Sequence, residues 1–90
     1  MEENWIELPH RIYRKDENGK VIAEISFPET KKGECTIKEV FFDEDYRSLE
    51  ETNTMIARAV SVIHGRGEKV IFEHPYAKKW QKDHSDTSAN

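Results

Sequence analysis

A single cysteine, Cys35, rules out an internal disulfide, and a lone thiol suits a reducing, cytoplasmic setting. No apolar run approaches the roughly 18 residues of a membrane span, and the N-terminus lacks a signal-peptide core. Nor is there an excess of positive charge. The formal net charge is −4, which argues against a general nucleic-acid binder, because that function needs a basic face. His10, His64, His74 and His84, taken with Cys35, show no metal-ligand spacing, so no metal site is expected. Repeats and low-complexity blocks are missing too. What remains is a chain with 36% hydrophobic and 36% charged residues over 90 positions, enough for one thin core and too short for two. The expected organisation is one domain over residues 1–82 and a polar tail over 83–90.

Strand signals dominate the first half. Trp5, Ile6 and Leu8 stand among acids, as either a short arm or the start of a first strand. His10–Arg14 reads as a short strand. Asn18-Gly19 follows as a hairpin turn, since both residues tolerate positive φ. In Lys20–Phe27, strict alternation puts Val21, Ala23, Ile25 and Phe27 on one face. Pro28 ends that strand, and Thr30-Lys31-Lys32-Gly33 supplies a turn. Glu34–Phe42 reads as a third strand with Cys35, Ile37, Glu39 and Phe41 on one face.

The second half opens on a helix. Ser48 is a good N-cap, and Glu51 three residues later completes a capping box. Leu49, Ile56, Ala59, Val60 and Ile63 form one apolar stripe at helical spacing, with Gly65 as the stop and Gly67 as a second breaker. Val70, Ile71 and Phe72 mark a short buried strand over Lys69–Glu73. Strand, helix, strand in this order predicts a right-handed crossover and a parallel strand pair. Pro75 opens a last helix over Tyr76–Lys82, with Tyr76 and Trp80 four apart. The fold class is therefore α+β: a three-stranded antiparallel meander, a long helix, a further parallel strand and a short C-terminal helix.

This order, together with His74-Pro75-Tyr76-Ala77-Lys78, resembles the minimal single-domain GNAT-type N-acetyltransferases, the YjdJ-like family. The resemblance covers roughly residues 10–82, and the spacing from Ile37 to Lys78 matches without a gap. It implies acetyl-CoA as cofactor and transfer of an acetyl group to a small amine. Backbone N–H groups of Val40, Phe41 and Phe42 would hold the thioester carbonyl, and Lys78 would meet a CoA phosphate. The family's glycine-rich pyrophosphate loop falls on Ser48-Leu49-Glu50-Glu51-Thr52. Those positions carry two acids and a capping residue where bare backbone would approach phosphate, which implies a weakened cradle. His74 stands where the family has cysteine, and Glu39 where it has histidine.

Three side chains are candidates for catalysis. Glu39, on an otherwise apolar face, would be desolvated and able to take a proton from an amine. His74 is an alternative base, and Tyr76 could protonate the departing thiolate. Each also has a structural reading: Glu39 reaching water at a strand end, His74 as a helix-entry residue, Tyr76 packed on Trp80 and Phe72. Two rival functions stay open. One is a catalytically inactive module of the same fold that binds a protein or small ligand. The other is an accessory protein, monomeric or weakly dimeric, that meets a partner through Trp5 or Trp80.

Overall fold

The computed structural model describes residues 5–83. In chain order they form β1 (Trp5–Leu8), β2 (Arg11–Lys15), β3 (Val21–Ser26), β4 (Glu29–Lys31), β5 (Glu34–Ile37) and β6 (Glu39–Phe42). Then come α1 (Leu49–Gly65), β7 (Lys69–Phe72) and α2 (Pro75–Asp83). The segment left open between arm and strand is thus a strand, paired antiparallel with β2. Most of the tail expected over 83–90, His84 included, lies outside the described residues.

Two sheets share one long strand. β1-β2-β3-β6 is wholly antiparallel, while β4-β5-β7 carries the parallel β5–β7 pair that the strand–helix–strand order predicts. Lys38 separates the two halves of the Glu34–Phe42 strand. Ser26 lies opposite Glu39 in the ladder, yet its carbonyl also accepts the Lys38 N–H at 3.0 Å, so two residues oppose one. That is a β-bulge, and an extra residue reverses the side-chain parity beyond it. Cys35 and Ile37 are buried before the bulge, Val40 and Phe42 after it. Glu39 and Phe41 consequently face outward, not onto the apolar face that unbroken alternation predicts.

Local chemistry accounts for the turns. Asp16 Oδ1 accepts the N–H groups of Asn18 and Lys20, and Gly19 alone takes positive φ, at 88°. Asn18 keeps negative φ, unlike the paired left-handed turn expected there. At the other end of the fold, α1 runs through Gly65, and Gly67, at φ 77°, is the left-handed stop. The short β4 escapes detection in the sequence because all three of its residues are exposed and carry no alternation.

The core sits between the four-stranded sheet and α1. Ile12, Ala23, Ile25, Val40 and Phe42 meet Met55, Ile56, Ala59, Val60 and Ile63 across it. Each fully buried side chain of that size contributes about 1.5–3 kcal/mol. Leu49, expected in the same stripe, is instead 67% exposed at the start of the helix. Thr52 and Met55 take the first buried positions. No helix among the described residues is long and apolar enough to cross a membrane.

Candidate functional site

The two halves of the long strand part company at the bulge, and that parting opens the site. β7 follows β5 only as far as Phe72 opposite Ile37. One last link, His74 N–H to the Ile37 carbonyl at 3.3 Å, precedes Pro75 and the turn into α2. β6 continues alone, paired with β3 on one side only. The Asp43 N–H bonds the Ile22 carbonyl at 2.8 Å, so the two-residue period of an antiparallel ladder turns Phe41 towards β3. Val40 and Phe42 then direct their N–H groups to the open edge. Of the three residues expected to hold an acyl carbonyl, two are free to do so. Phe41 spends its N–H inside the sheet and exposes its ring on the opposite face.

A cleft of about 330 Å³ lies between the start of α1 and one side of α2. Arg47, Ser48, Leu49, Thr52 and Asn53 form one wall, and Tyr76, Lys79, Trp80 and Asp83 the other. Trp80 stacks on Phe72 with centroids 6.0 Å apart, which fixes α2 against β7. Lys79 Nζ is 3.4 Å from Asp83 Oδ2 within its own wall. Lys78, expected to face a phosphate, is exposed but does not line the cleft.

The mouth of α1 is capped only in part. Ser48 Oγ accepts the Glu51 N–H at 3.0 Å, and the Ser48 carbonyl accepts both the N–H and the hydroxyl of Thr52. The reciprocal half of the expected capping box is missing, because the Glu51 carboxylate lies 3.3 Å from Arg14 Nη1 on β2. Among the described residues nothing accepts from the N–H groups of Leu49 and Glu50, the usual orphans of a first helical turn. Neither Glu50 nor Glu51 lines the cleft. Two carboxylates facing an incoming phosphate were expected here; that of Glu51 is instead directed to Arg14.

The loop that delivers Ser48 is anchored through Asp43. Its carboxylate accepts from the Asp45 N–H and from Lys20 Nζ, each at 3.0 Å. These two donors, the backbone one foremost, hold the Asp43 carboxyl below its ordinary range.

Of the three catalytic candidates, His74 and Tyr76 lie against each other. Glu39 sits exposed on the outward face of β6, without the desolvation that general-base chemistry needs. His74 Nδ1 accepts the Tyr76 N–H at 3.1 Å, so a neutral imidazole there carries its proton on Nε2. The free nitrogen is thus a hydrogen-bond donor, not a base. Tyr76 is 44% exposed on the cleft wall, 5.2 Å ring to ring from His74, and does not pack on Trp80. Cys35, near the far end of α1, donates to Glu68 Oε1 at 3.3 Å. Burial first, then Glu68, pushes its thiol up, so it is no nucleophile. No metal-competent cluster occurs among the described residues.

Arg47, Asn53 and Asp83 also belong to the cleft, although sequence reasoning did not single them out. Helical spacing could have found Asn53, which lies four residues past Leu49. Arg47 precedes the helix, and only the loop geometry reveals it.

No family model matches the sequence, and a search of curated proteins finds no match. Solved structures do match. An acetyltransferase of the GNAT family from Staphylococcus aureus superimposes with a TM-score of 0.61 at 11% identity, covering 86% of this chain and 50% of its own. A candidate streptothricin acetyltransferase from Bacillus anthracis, solved with acetyl coenzyme A, gives 0.58 at 15% identity over 96% and 47%. These likenesses define the architecture: the chain has the GNAT fold. It spans about half the length of the structures it matches.

Proposed function

We propose that this chain is an acetyl-CoA-dependent N-acetyltransferase of the minimal, YjdJ-like kind, with a weakened pyrophosphate cradle. The observation that carries this reading is that the mouth of α1, with two N–H groups unclaimed among the described residues, opens into a cleft, while β6 leaves a second pair of N–H groups on its unpaired edge. Val40 and Phe42 on β6 can receive an acyl carbonyl, and Leu49 and Glu50 at the mouth of α1 can receive a diphosphate. The residues present fit the cofactor in part. Arg47 and Lys79 add positive charge to the walls, and Trp80 and Leu49 give apolar surface for a pantetheine arm. Ser48 claims one donor that a glycine loop would leave free, and Glu50 keeps a carboxylate at the rim. Both lower affinity.

Acetyl-CoA supplies an activated thioester. The chain's own residues would orient it: backbone N–H groups would polarise its carbonyl, and Tyr76, on the cleft wall, would be available to give the departing thiolate a proton. Among the described residues no side chain is positioned as a base, so on this reading the amine arrives neutral. We assign the chain to the cytoplasm as a monomer or weak homodimer of one domain over residues 1–82, and the substrate class to small primary amines.

Calorimetric titration with acetyl-CoA at low and high salt tests the reading, with amide shifts of Val40, Phe42, Leu49 and Glu50 followed by NMR. Micromolar binding that weakens with salt and moves those four amides is expected. A folded protein that shows no heat and no shifts would refute it. A second reading, an inactive binding module, is supported by the outward-facing Glu39 and the engaged Nδ1 of His74. Release of free thiol with a panel of amines separates the two: cofactor binding without turnover selects the module.

A further inference from the structure

Glu51 stands where a capping-box carboxylate would fold back onto its own helix N-cap, and it does not. Its Oε1 is held 3.3 Å from Nη1 of Arg14, a residue 37 positions earlier on β2. Arg14 is well placed for this. Its side chain is only 22% exposed, against 44% for Glu51, and its guanidinium lies 5.8 Å from the Trp5 ring. A register shift between Arg14 and Lys15 falls at this point of β2, and such irregularities re-aim side chains. Arg14 shares the α1-facing side of the sheet with Ile12, two residues away, so its charge is directed at the helix.

Resting on the acetyl-CoA reading above, we propose that Arg14 is a positioning residue for the cofactor: by drawing Glu51 against β2, it keeps the mouth of α1 open to an anion. Released, the Glu51 carboxylate would do two things to an incoming diphosphate. It would reach back to the Ser48 N–H and close the mouth, and it would add a second uncompensated negative charge beside Glu50. The Arg14–Glu51 pair removes both obstacles without itself touching the ligand, since neither residue lines the cleft. This explains how an acid is tolerated at the third position of the binding helix.

The test is a double-mutant cycle of CoA affinity by calorimetry, over wild type, Arg14→Gln, Glu51→Gln and the double variant, with melting temperatures for each. Arg14→Gln is expected to bind about fivefold to tenfold more weakly, as befits a charge freed near a partly solvated site. Glu51→Gln binds at least as tightly as wild type, and the double variant binds like Glu51→Gln. Arg14→Lys restores most of the affinity. Rescue by Glu51→Gln without recovery of the melting temperature separates positioning from a merely structural role. Additive losses in the double variant would overturn the inference while leaving the acetyl-CoA reading intact, as would an unchanged affinity in Arg14→Gln. A folded wild type that binds no CoA overturns both.

Discussion

Glu50 is the residue whose removal should improve this protein at one task and harm it at another. It sits at the second position of α1, exposed and turned out of the cleft, with its carbonyl engaged by the Thr54 hydroxyl. At a separation of about 6 Å a carboxylate repels an anion by about 0.7 kcal/mol per charge in a solvated setting. Glu50→Gln removes that term, so CoA should bind about threefold to tenfold more tightly at low salt. The same acid interacts favourably with the positive end of the helix, so its loss should cost about 0.3–1 kcal/mol of stability. Calorimetry in ~20 mM and ~500 mM salt, paired with urea unfolding, reads both effects, because the Debye length falls from about 20 Å to under 5 Å over that range. An affinity gain that persists undiminished at high salt would refute the electrostatic reasoning. So would a gain in stability. Glycine at Thr52, which a glycine-rich loop would call for, should not help further. Thr52 is 7% exposed and its hydroxyl bonds the Ser48 carbonyl, so Thr52→Gly disturbs the cap and costs helix stability.

Other consequences follow from the same geometry. Ile56 is fully buried between α1 and the sheet, so Ile56→Ala should cost about 2–5 kcal/mol in urea unfolding; a loss under 1 kcal/mol would contradict the packing. Asp43 is held below its ordinary range in the folded state, so its contribution to stability is present above the unfolded carboxyl pKa. That contribution is lost as pH falls through the lower, folded value. Acid unfolding curves of wild type and Asp43→Asn should therefore separate at neutral pH and converge once pH has fallen through the lowered folded-state value. If turnover occurs, kcat/KM should rise with pH until the free amine's own pKa, and shift when an amine of different pKa is used. An ascending limb fixed at one pH across amines would instead reveal an enzyme base.

The fold was legible in the sequence where patterning was strong. Alternation from Lys20 to Phe27, the stripe Ile56, Ala59, Val60 and Ile63, and the Ser48 cap all correspond to observed elements, and the strand–helix–strand order gave the parallel pair. The failures have one cause in common. A period is informative only while the backbone stays regular, and each misplacement sits at an irregularity. The bulge at Lys38 sends Glu39 to solvent, and helix entry leaves Leu49 outside the core.

The candidate site was harder to read, because it consists mainly of backbone and of interactions between distant residues. Nothing in Ser48-Leu49-Glu50-Glu51-Thr52 says that Glu51 leaves its helix for Arg14, since the partner lies on another strand. Likewise, counting acids predicts repulsion at the mouth, whereas what matters is where each carboxylate is held. With Glu51 tied to β2, one acid and not two guards the two orphan N–H groups. The same reasoning limits catalysis. A tethered Nδ1 leaves His74 only a donor to offer, and outward parity removes Glu39, so neither is placed to take a proton. On the acetyl-CoA reading proposed above, deprotonation of the nucleophile would then fall to the solvent, and a substrate already neutral at working pH is the kind such a geometry would favour.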